Sequence, residues 1–196
     1  YQVVLADTGA IGGSESHQFM ALSDVGESNI IYCSCGYAAD EEKANTKDDT
    51  YKNDEELKEV KEVATPNVKT IEDLTKFLNV SSKDIAKAVV YSCNGKPSMF
   101  LIRGDREVNF IKVCNALNAA EHEVYLATEE EVTRYNSVNG FIGPVNSKMD
   151  VYVDSELEKM KNMIVGANIK DTHLMNVNIN RDYTPFKIVD LKDGYE

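Results

Sequence analysis

Hydrophobic and polar positions divide the chain into three stretches of different character. Residues 1–39 alternate short apolar runs with glycine-containing turns, a pattern that predicts two or three strands. Residues 40–62 are dense in charge and have few apolar anchors, so they are interpreted as a solvated helix or a linker. We therefore expect a domain boundary there, with one unit over 1–62 and another over 63–196.

Regular elements follow one another closely from Thr65 onward. Thr70 and Asp73 have the spacing of a capping box, which predicts a helix over IEDLTKFLNV. Ser81 or Ser82 can cap a short second helix. A strand AVVYSC should follow, and a turn over 94–97 should return it as a hairpin with SMFLIRG.

The remaining pattern alternates strands and helices to the end of the chain. EVNFIKVCNALN has apolar positions at helical spacing, and Thr128 with Glu131 predicts another capped helix. The predicted strands are VYLA, MDVYVD, MIVGAN, LMNVNI and KIVDL, with a short helix SELEKMKN among them. This mixed order predicts an α/β domain built around a mixed β-sheet or half-barrel surrounded by helices.

Composition and charge narrow the class of protein. The chain has 196 residues, of which 42% are hydrophobic, so it can bury a sizeable core. Its apolar runs are too short to span a bilayer. The formal net charge of -12 argues against strong nucleic-acid binding, although residues 63–196 hold 19 acidic and 16 basic residues and are nearly balanced. Because the chain begins with Tyr1 on a strand-like segment, we expect it to be an excised fragment.

The cysteines and histidines do not form a recognisable metal motif. Four cysteines are unevenly spread, which favours reduced thiols in a cytoplasmic protein over a disulfide framework. Cys33 and Cys35 resemble half of a zinc site, but no second pair completes it. We therefore predict no metal site.

Several residues have both a structural and a functional interpretation. The turn at 140–144, GFIGP, either connects two strands or presents backbone groups to a ligand. Lys87 either complements a helix terminus or places its ammonium in a cleft. His173 either begins a strand or lines a pocket. Asp105 either orders Lys87 or a basic neighbour, or caps the following helix.

Two groups of segments carry a resemblance to a known family. ADTGAIGGSESHQFMALSDVGES and YAADEEKA resemble the catalytic core of bacterial-type prolyl-tRNA synthetases. The insertion domain of the same family is similar to TPNVKTIEDLTKFLNVSSKDIAKAVVY, LIRGDREVNFIKV, GFIGPV, VGANIKDTHLMNVNINRDY and KIVDLKDG, in this order. The resemblance implies a prolyl-tRNA editing fold over 63–196, with a partial class II synthetase core and an acidic linker over 1–62.

The resemblance also implies roles for individual residues. The expected catalytic residues are Lys87, Gly140 and Pro144. The expected substrate-binding residues are Asp105, Ile142, Gly143, Gly166, Asn168 and His173. Ser16 and His17 would belong to the proline-activation pocket of the parent enzyme.

The implied activity is deacylation, namely hydrolysis of the ester that joins alanine wrongly to the proline tRNA. It needs no cofactor, whereas the parent synthetase would use ATP and Mg to ligate proline and would be a cytoplasmic homodimer. The expected partners are tRNA(Pro) carrying alanine and the rest of the synthetase chain, and no membrane. The alternative is a non-catalytic insertion that binds tRNA or stabilises the core.

Overall fold

The computed structural model describes residues 1–6, 15–26, 28–41, 43–49 and 55–193, and these residues form three β-sheets with short helices between the strands. The strands are β1 Gln2–Ala6, β2 Ser16–Met20, β3 Ile30–Tyr32, β4 Ala38–Asp40, β5 Lys61–Ala64, β6 Ala86–Cys93, β7 Lys96–Arg103, β8 Val124–Leu126, β9 Asp150–Asp154, β10 Met163–Gly166, β11 Thr172–Val177 and β12 Lys187–Val189. The α-helices are α1 Ile71–Leu78, α2 Phe110–Leu117 and α3 Glu129–Arg134, and 3₁₀ turns occupy Ser82–Asp84, Glu121–Glu123 and Ser155–Lys159.

The first sheet contains the N-terminal strands in the order β2-β1-β4-β3. It has one strand more than the largest number that the sequence pattern predicted. In the turn between β3 and β4, the sulfurs of Cys33 and Cys35 are bonded, while Cys93 and Cys114 are free. The prediction of reduced thiols is therefore wrong for the first pair. No helix occurs in the described part of 40–62, which excludes the helix alternative there.

The central sheet has five strands in the order β12-β9-β7-β6-β8 and is mixed. β9 runs parallel to both β7 and β12, whereas β6 is antiparallel to β7 and β8. Alternate residues of β7 enter two cores: Met99 packs on the side of β10 and β11, while Phe100 packs on the side of α2. Because both faces are covered, residues 99–102 in β7 form a continuous apolar run, MFLI.

A smaller antiparallel sheet, β10-β11-β5, lies beside the central one. A bridge between Ile85 and Ile164 joins the start of β6 to β10, and Leu74 of α1 packs on the same two side chains. This arrangement confirms the predicted α/β fold with a mixed sheet. It also brings α1, β6 and β10 to one place, which is where the candidate site lies.

Local capping signals account for the helices. Thr70 accepts a hydrogen bond from the backbone N–H of Asp73, and Thr128 does the same with Glu131, as predicted. Ser81 caps the 3₁₀ turn at Ser82–Asp84. Within the described residues, no helix is long and apolar enough to cross a membrane.

Residues 43–49 pack against the domain that follows them through buried charges. Lys192 is fully buried and its ammonium lies 2.8 Å from the carboxylate of Asp48. Arg103 is also buried, and its guanidinium donates to Asp49 at 2.8 Å. Lys192 also pairs with Asp154, and Arg103 also pairs with Glu156, so Asp48 and Asp49 join the segment to charge networks of the domain that follows.

Candidate functional site

A cavity of about 230 Å³ lies where α1, the start of β6, the GFIGP loop and the β10–β11 pair meet. Five of the residues expected to act on substrate line it: Lys87, Gly140, Ile142, Gly166 and His173. The other lining residues are Lys69, Thr70, Ile71, Leu74, Ile85, Ala86, Ala88 and Val165. The structure therefore brings together residues that are up to about a hundred positions apart in sequence.

Lys87 lies on β6 with its ammonium paired to a carboxylate. Its side chain is 18% exposed, and its Nζ donates to Glu107 Oε1 at 2.8 Å. Asp105 was expected to order Lys87 or a basic neighbour, and it pairs with the neighbour Arg103. It neither lines the cavity nor caps α2, which is capped by Asn109.

Two glycines let the GFIGP loop lie directly on β10. A Cβ atom placed on Gly143 would be 1.7 Å from the carbonyl oxygen of Gly166, and one placed on Gly166 would be 2.3 Å from the carbonyl oxygen of Ile142. No side chain fits between backbones this close. The glycines at 143 and 166 thus bring loop and strand into contact, and that contact places Ile142 in the cavity wall.

Asn168 holds the same loop by its amide group. Its Oδ1 accepts from the N–H of Gly143 at 3.0 Å and from the hydroxyl of Ser137 at 2.9 Å. Its Nδ2 donates to the carbonyls of Gly143 at 2.8 Å and Val145 at 3.2 Å. Asn168 does not line the cavity, so the structure gives it a positioning contact rather than the direct substrate contact that was expected.

Pro144 also lies outside the cavity lining. It is buried and borders a separate surface depression with Met149 and Tyr183. Its fixed φ restricts the end of the loop, and it is not among the residues that line the cavity.

His173 is a buried histidine in the cavity wall. Its Nδ1 lies 2.7 Å from the hydroxyl of Thr65, and its ring meets that of Phe141 edge-on at 5.5 Å. Burial lowers the pKa of His173, so the imidazole is neutral near pH 7. Within the described residues Nε2 has no hydrogen-bond partner, which leaves it available to a molecule in the cavity.

The described lining of the cavity is apolar and basic. Ile71, Leu74, Ile142 and Val165 supply an aliphatic wall, and among the residues that the structure describes no acidic residue or cysteine lines the cavity. The one hydroxyl, that of Thr70, donates to Asp73 at 2.7 Å. Across the described ranges, no group of three or more His, Cys, Asp or Glu side chains is placed to hold a metal ion.

Sequence reasoning missed three residues that shape the site. Lys69 lines the cavity, Thr65 pairs with His173, and Glu107 pairs with Lys87. The only signal for Lys69 was its position directly before a helix cap, and the other two pairings depend on the fold.

Ser16 and His17 lie on β2 in the N-terminal sheet. His17 borders a separate cavity of about 480 Å³ with residues of β1 and the β3–β4 turn, while Ser16 does not line it. These two residues therefore belong to a different surface from the Lys87 cavity.

The chain is similar to an aminoacyl-tRNA editing family and to proline–tRNA ligases. Residues 65–182 match the family model described as the aminoacyl-tRNA editing domain. The proline–tRNA ligase of Caldicellulosiruptor saccharolyticus is 47% identical over 194 residues, which are 98% of this chain and 33% of that protein. The proline–tRNA ligase of Thermosipho africanus is 42% identical over 193 residues, or 97% of this chain and 34% of that protein. The expected resemblance to prolyl-tRNA synthetases is confirmed, and the chain spans about a third of the length of these relatives.

A solved structure supports the fold. A crystal structure described as a candidate trans-editing enzyme for prolyl tRNA synthetase superposes with a TM-score of 0.57 at 19% identity, covering 69% of this chain and 87% of that one. At this identity the likeness concerns the fold alone.

Proposed function

Because the chain belongs to the aminoacyl-tRNA editing domain family, we propose that it hydrolyses the ester of alanine wrongly attached to tRNA(Pro), as part of a proline–tRNA ligase. The observation that carries the proposal is the cavity in which Lys87, the GFIGP loop and His173 meet around an aliphatic wall. Its walls come from four separate segments of the chain, and each is held by specific contacts.

The cavity suits a small aminoacyl group. In this proposal the alanine methyl packs on the wall formed by Ile142 and Val165, and the terminal ribose and its ester lie toward Lys87. An active site for proline cannot reject the smaller alanine by more than about 1–3 kcal/mol, so a second, smaller site is needed to remove the error. In this proposal the second site excludes proline because proline is larger than alanine.

Hydrolysis here depends on positioning. Backbone groups of the loop that contains Gly140 orient a water molecule against the ester carbonyl, and a neighbouring ribose hydroxyl of the substrate assists the proton transfer. The Lys87 ammonium stabilises the negative charge that develops on the carbonyl oxygen, with Glu107 keeping it in place. The neutral imidazole of His173 limits the space on the amino-acid side.

The remainder of the chain is proposed to belong to the ligase itself. Residues 1–62 would be a segment of the class II catalytic core and its linker, with Ser16 and His17 contributing to the proline-activation pocket. ATP and Mg would then serve the ligation reaction of the complete, homodimeric, cytoplasmic enzyme and take no part in the hydrolysis.

The test is single-turnover deacylation of alanyl-tRNA(Pro) by the wild type, Lys87→Ala and Lys96→Ala. Lys96 is a suitable control because it pairs with Asp150 at 2.6 Å and lies outside the cavity lining. Loss of a group that stabilises the developing charge should slow Lys87→Ala by about 10²-fold, while Lys96→Ala should match the wild type. Equal rates for the wild type and Lys87→Ala would reject the mechanism, and binding of alanyl-tRNA without hydrolysis by any of the three would favour a non-catalytic module.

A further inference from the structure

The stem of Lys69 rests on Gly140 at the mouth of the cavity. A Cβ atom on Gly140 would lie 3.2 Å from Cγ of Lys69 and 3.4 Å from both its Cβ and its Cδ. Gly140 has a φ of +86°, a conformation that side chains rarely adopt. The glycine therefore makes room for the lysine stem at the start of the GFIGP loop.

The ammonium of Lys69 differs from that of Lys87 in its surroundings. Lys87 is mostly buried and paired with Glu107, whereas Lys69 is exposed and forms no hydrogen bond or ion pair within the described residues. In the part of the chain that the structure describes, no carboxylate lines the cavity to neutralise Lys69. On a chain with a net charge of -12, the mouth of this cavity thus presents a cation that is available to an anionic ligand.

We propose that Lys69 binds the phosphate of the terminal nucleotide of the tRNA while that nucleotide's aminoacyl ester lies in the cavity. The inference rests on the proposed function and assigns a different group of the substrate to each lysine. An aminoacyl ester on a terminal ribose carries its nearest negative charge on the phosphodiester at the other side of the same sugar. An exposed ammonium at the cavity mouth is matched to that phosphate, and Lys87 is left for the ester.

The first test compares substrates with and without the phosphate. Wild type, Lys69→Gln and Lys76→Gln are assayed on alanyl-tRNA(Pro) and on 3′-O-alanyl-adenosine, which has no phosphate. Lys76 is an exposed lysine in the last turn of α1 and does not line the cavity, so it controls for the loss of one surface charge.

Lys69→Gln should raise the KM for alanyl-tRNA(Pro) by roughly 3- to 10-fold with little change in kcat, and should behave like the wild type on alanyl-adenosine. The slope of log(kcat/KM) against log salt should become less negative by about 0.7, as expected for one lost phosphate contact on a single strand. Lys76→Gln should leave these values unchanged. An unchanged KM and salt slope in Lys69→Gln, or an equal loss on both substrates, would overturn the inference.

A binding measurement separates this inference from the proposed function. In an NMR titration, wild-type protein should bind adenosine 5′-monophosphate more tightly than adenosine, with shifts at the amides of Gly140 and Ile142. Lys69→Gln should bind adenosine 5′-monophosphate and adenosine with equal affinity. If the wild type hydrolyses neither ester but shows this preference, the deacylase proposal fails and the phosphate contact stands. If the wild type binds adenosine 5′-monophosphate and adenosine with equal affinity, the proposed phosphate contact is rejected whatever the result of the hydrolysis assay.

Discussion

Asn168 offers the most direct test of how the cavity wall is held. Its side-chain amide makes four hydrogen bonds, two of them to the N–H and carbonyl of Gly143. Asn168→Ala removes all four and leaves the backbone groups of the loop without these partners. The same change also places alanine at a φ of +58°, which asparagine tolerates better.

The size of the effect follows from the number of bonds. Each hydrogen bond contributes about 0.5–1.5 kcal/mol net. Asn168 is partly exposed, so water replaces some of its bonds, and the lower half of the range applies. We expect the free energy of local opening of the loop to fall by about 2–4 kcal/mol, which corresponds to a roughly 30- to 900-fold faster exchange of the Gly143 amide hydrogen.

Native-state hydrogen exchange measured by NMR gives this quantity residue by residue. Asn79→Ala is the matched control, because Asn79 caps α1 at a φ of 53° and its side chain makes no hydrogen bond within the described part of the chain. It therefore reports the cost of the backbone conformation alone. The reasoning is refuted if the Gly143 amide exchanges at the wild-type rate in Asn168→Ala.

The remaining predictions concern packing and pH. Gly143→Ala should lower the thermal unfolding midpoint far more than Gly95→Ala. The new methyl group at position 143 meets the Gly166 carbonyl, whereas the one at position 95 meets nothing within 4 Å. Similar shifts in the two variants would contradict the close contact between Gly143 and Gly166. Burial alone would raise the pKa of Asp48, but hydrogen bonds from Lys159 and Lys192 outweigh it and lower the pKa to about 2. The stability gained from ionised Asp48 is therefore present above its unfolded value, near 4, and is lost as the pH falls toward 2. Asp48→Asn should accordingly reduce the free energy of unfolding at pH 7 and have little effect at pH 2, and an equal loss at both pH values would exclude this account. Burial lowers the pKa of His173, so its neutral form contributes stability above about pH 6.5 that is lost as the pH falls through the depressed value. An NMR titration should give His173 a pKa below 6.5, and a value at or above 6.5 would show that burial does not control it.

Local signals explain which parts of the fold were predictable. Thr70 and Thr128 lie three residues before an acidic partner, and both cap their helices as predicted because the contacts involve only neighbouring residues. The full reciprocal capping box forms at Thr128 and Glu131, whereas at Thr70 only the side-chain cap to the Asp73 N–H is made. Strand β5 was missed because two of its four residues, KEVA, are charged and most are exposed, and because pairing with β11 is what makes the segment extended. Non-local pairing of this kind overrides the local pattern.

The site was predictable only as far as the family resemblance reached. Lys87, Gly140 and His173 share one cavity although about a hundred residues lie between the ends of that set. The partner of Lys87 could not be predicted from the sequence, because Asp105 and Glu107 are both close to it in the hairpin. The buried Arg103 pairs with Asp105, and Lys87 pairs with Glu107. Residue spacing does not decide between two carboxylates that are two positions apart.

The loop contributes to the site through its backbone geometry. Gly140 accommodates the stem of Lys69, and Gly143 lies on Gly166. The proline at the end of the loop is buried outside the cavity. The glycines therefore bring neighbouring groups to the cavity, and the proline shapes the connection that follows.

The central claim is that the cavity removes alanine, and not proline, from tRNA(Pro). The most direct measurement is the single-turnover hydrolysis rate of alanyl-tRNA(Pro) and prolyl-tRNA(Pro) with the wild-type chain in excess, each compared with its spontaneous rate. The account predicts rapid release of alanine and a prolyl ester that decays no faster than in buffer. Release of both amino acids at the same rate, or an alanyl ester that persists as long as it does without the protein, would contradict it.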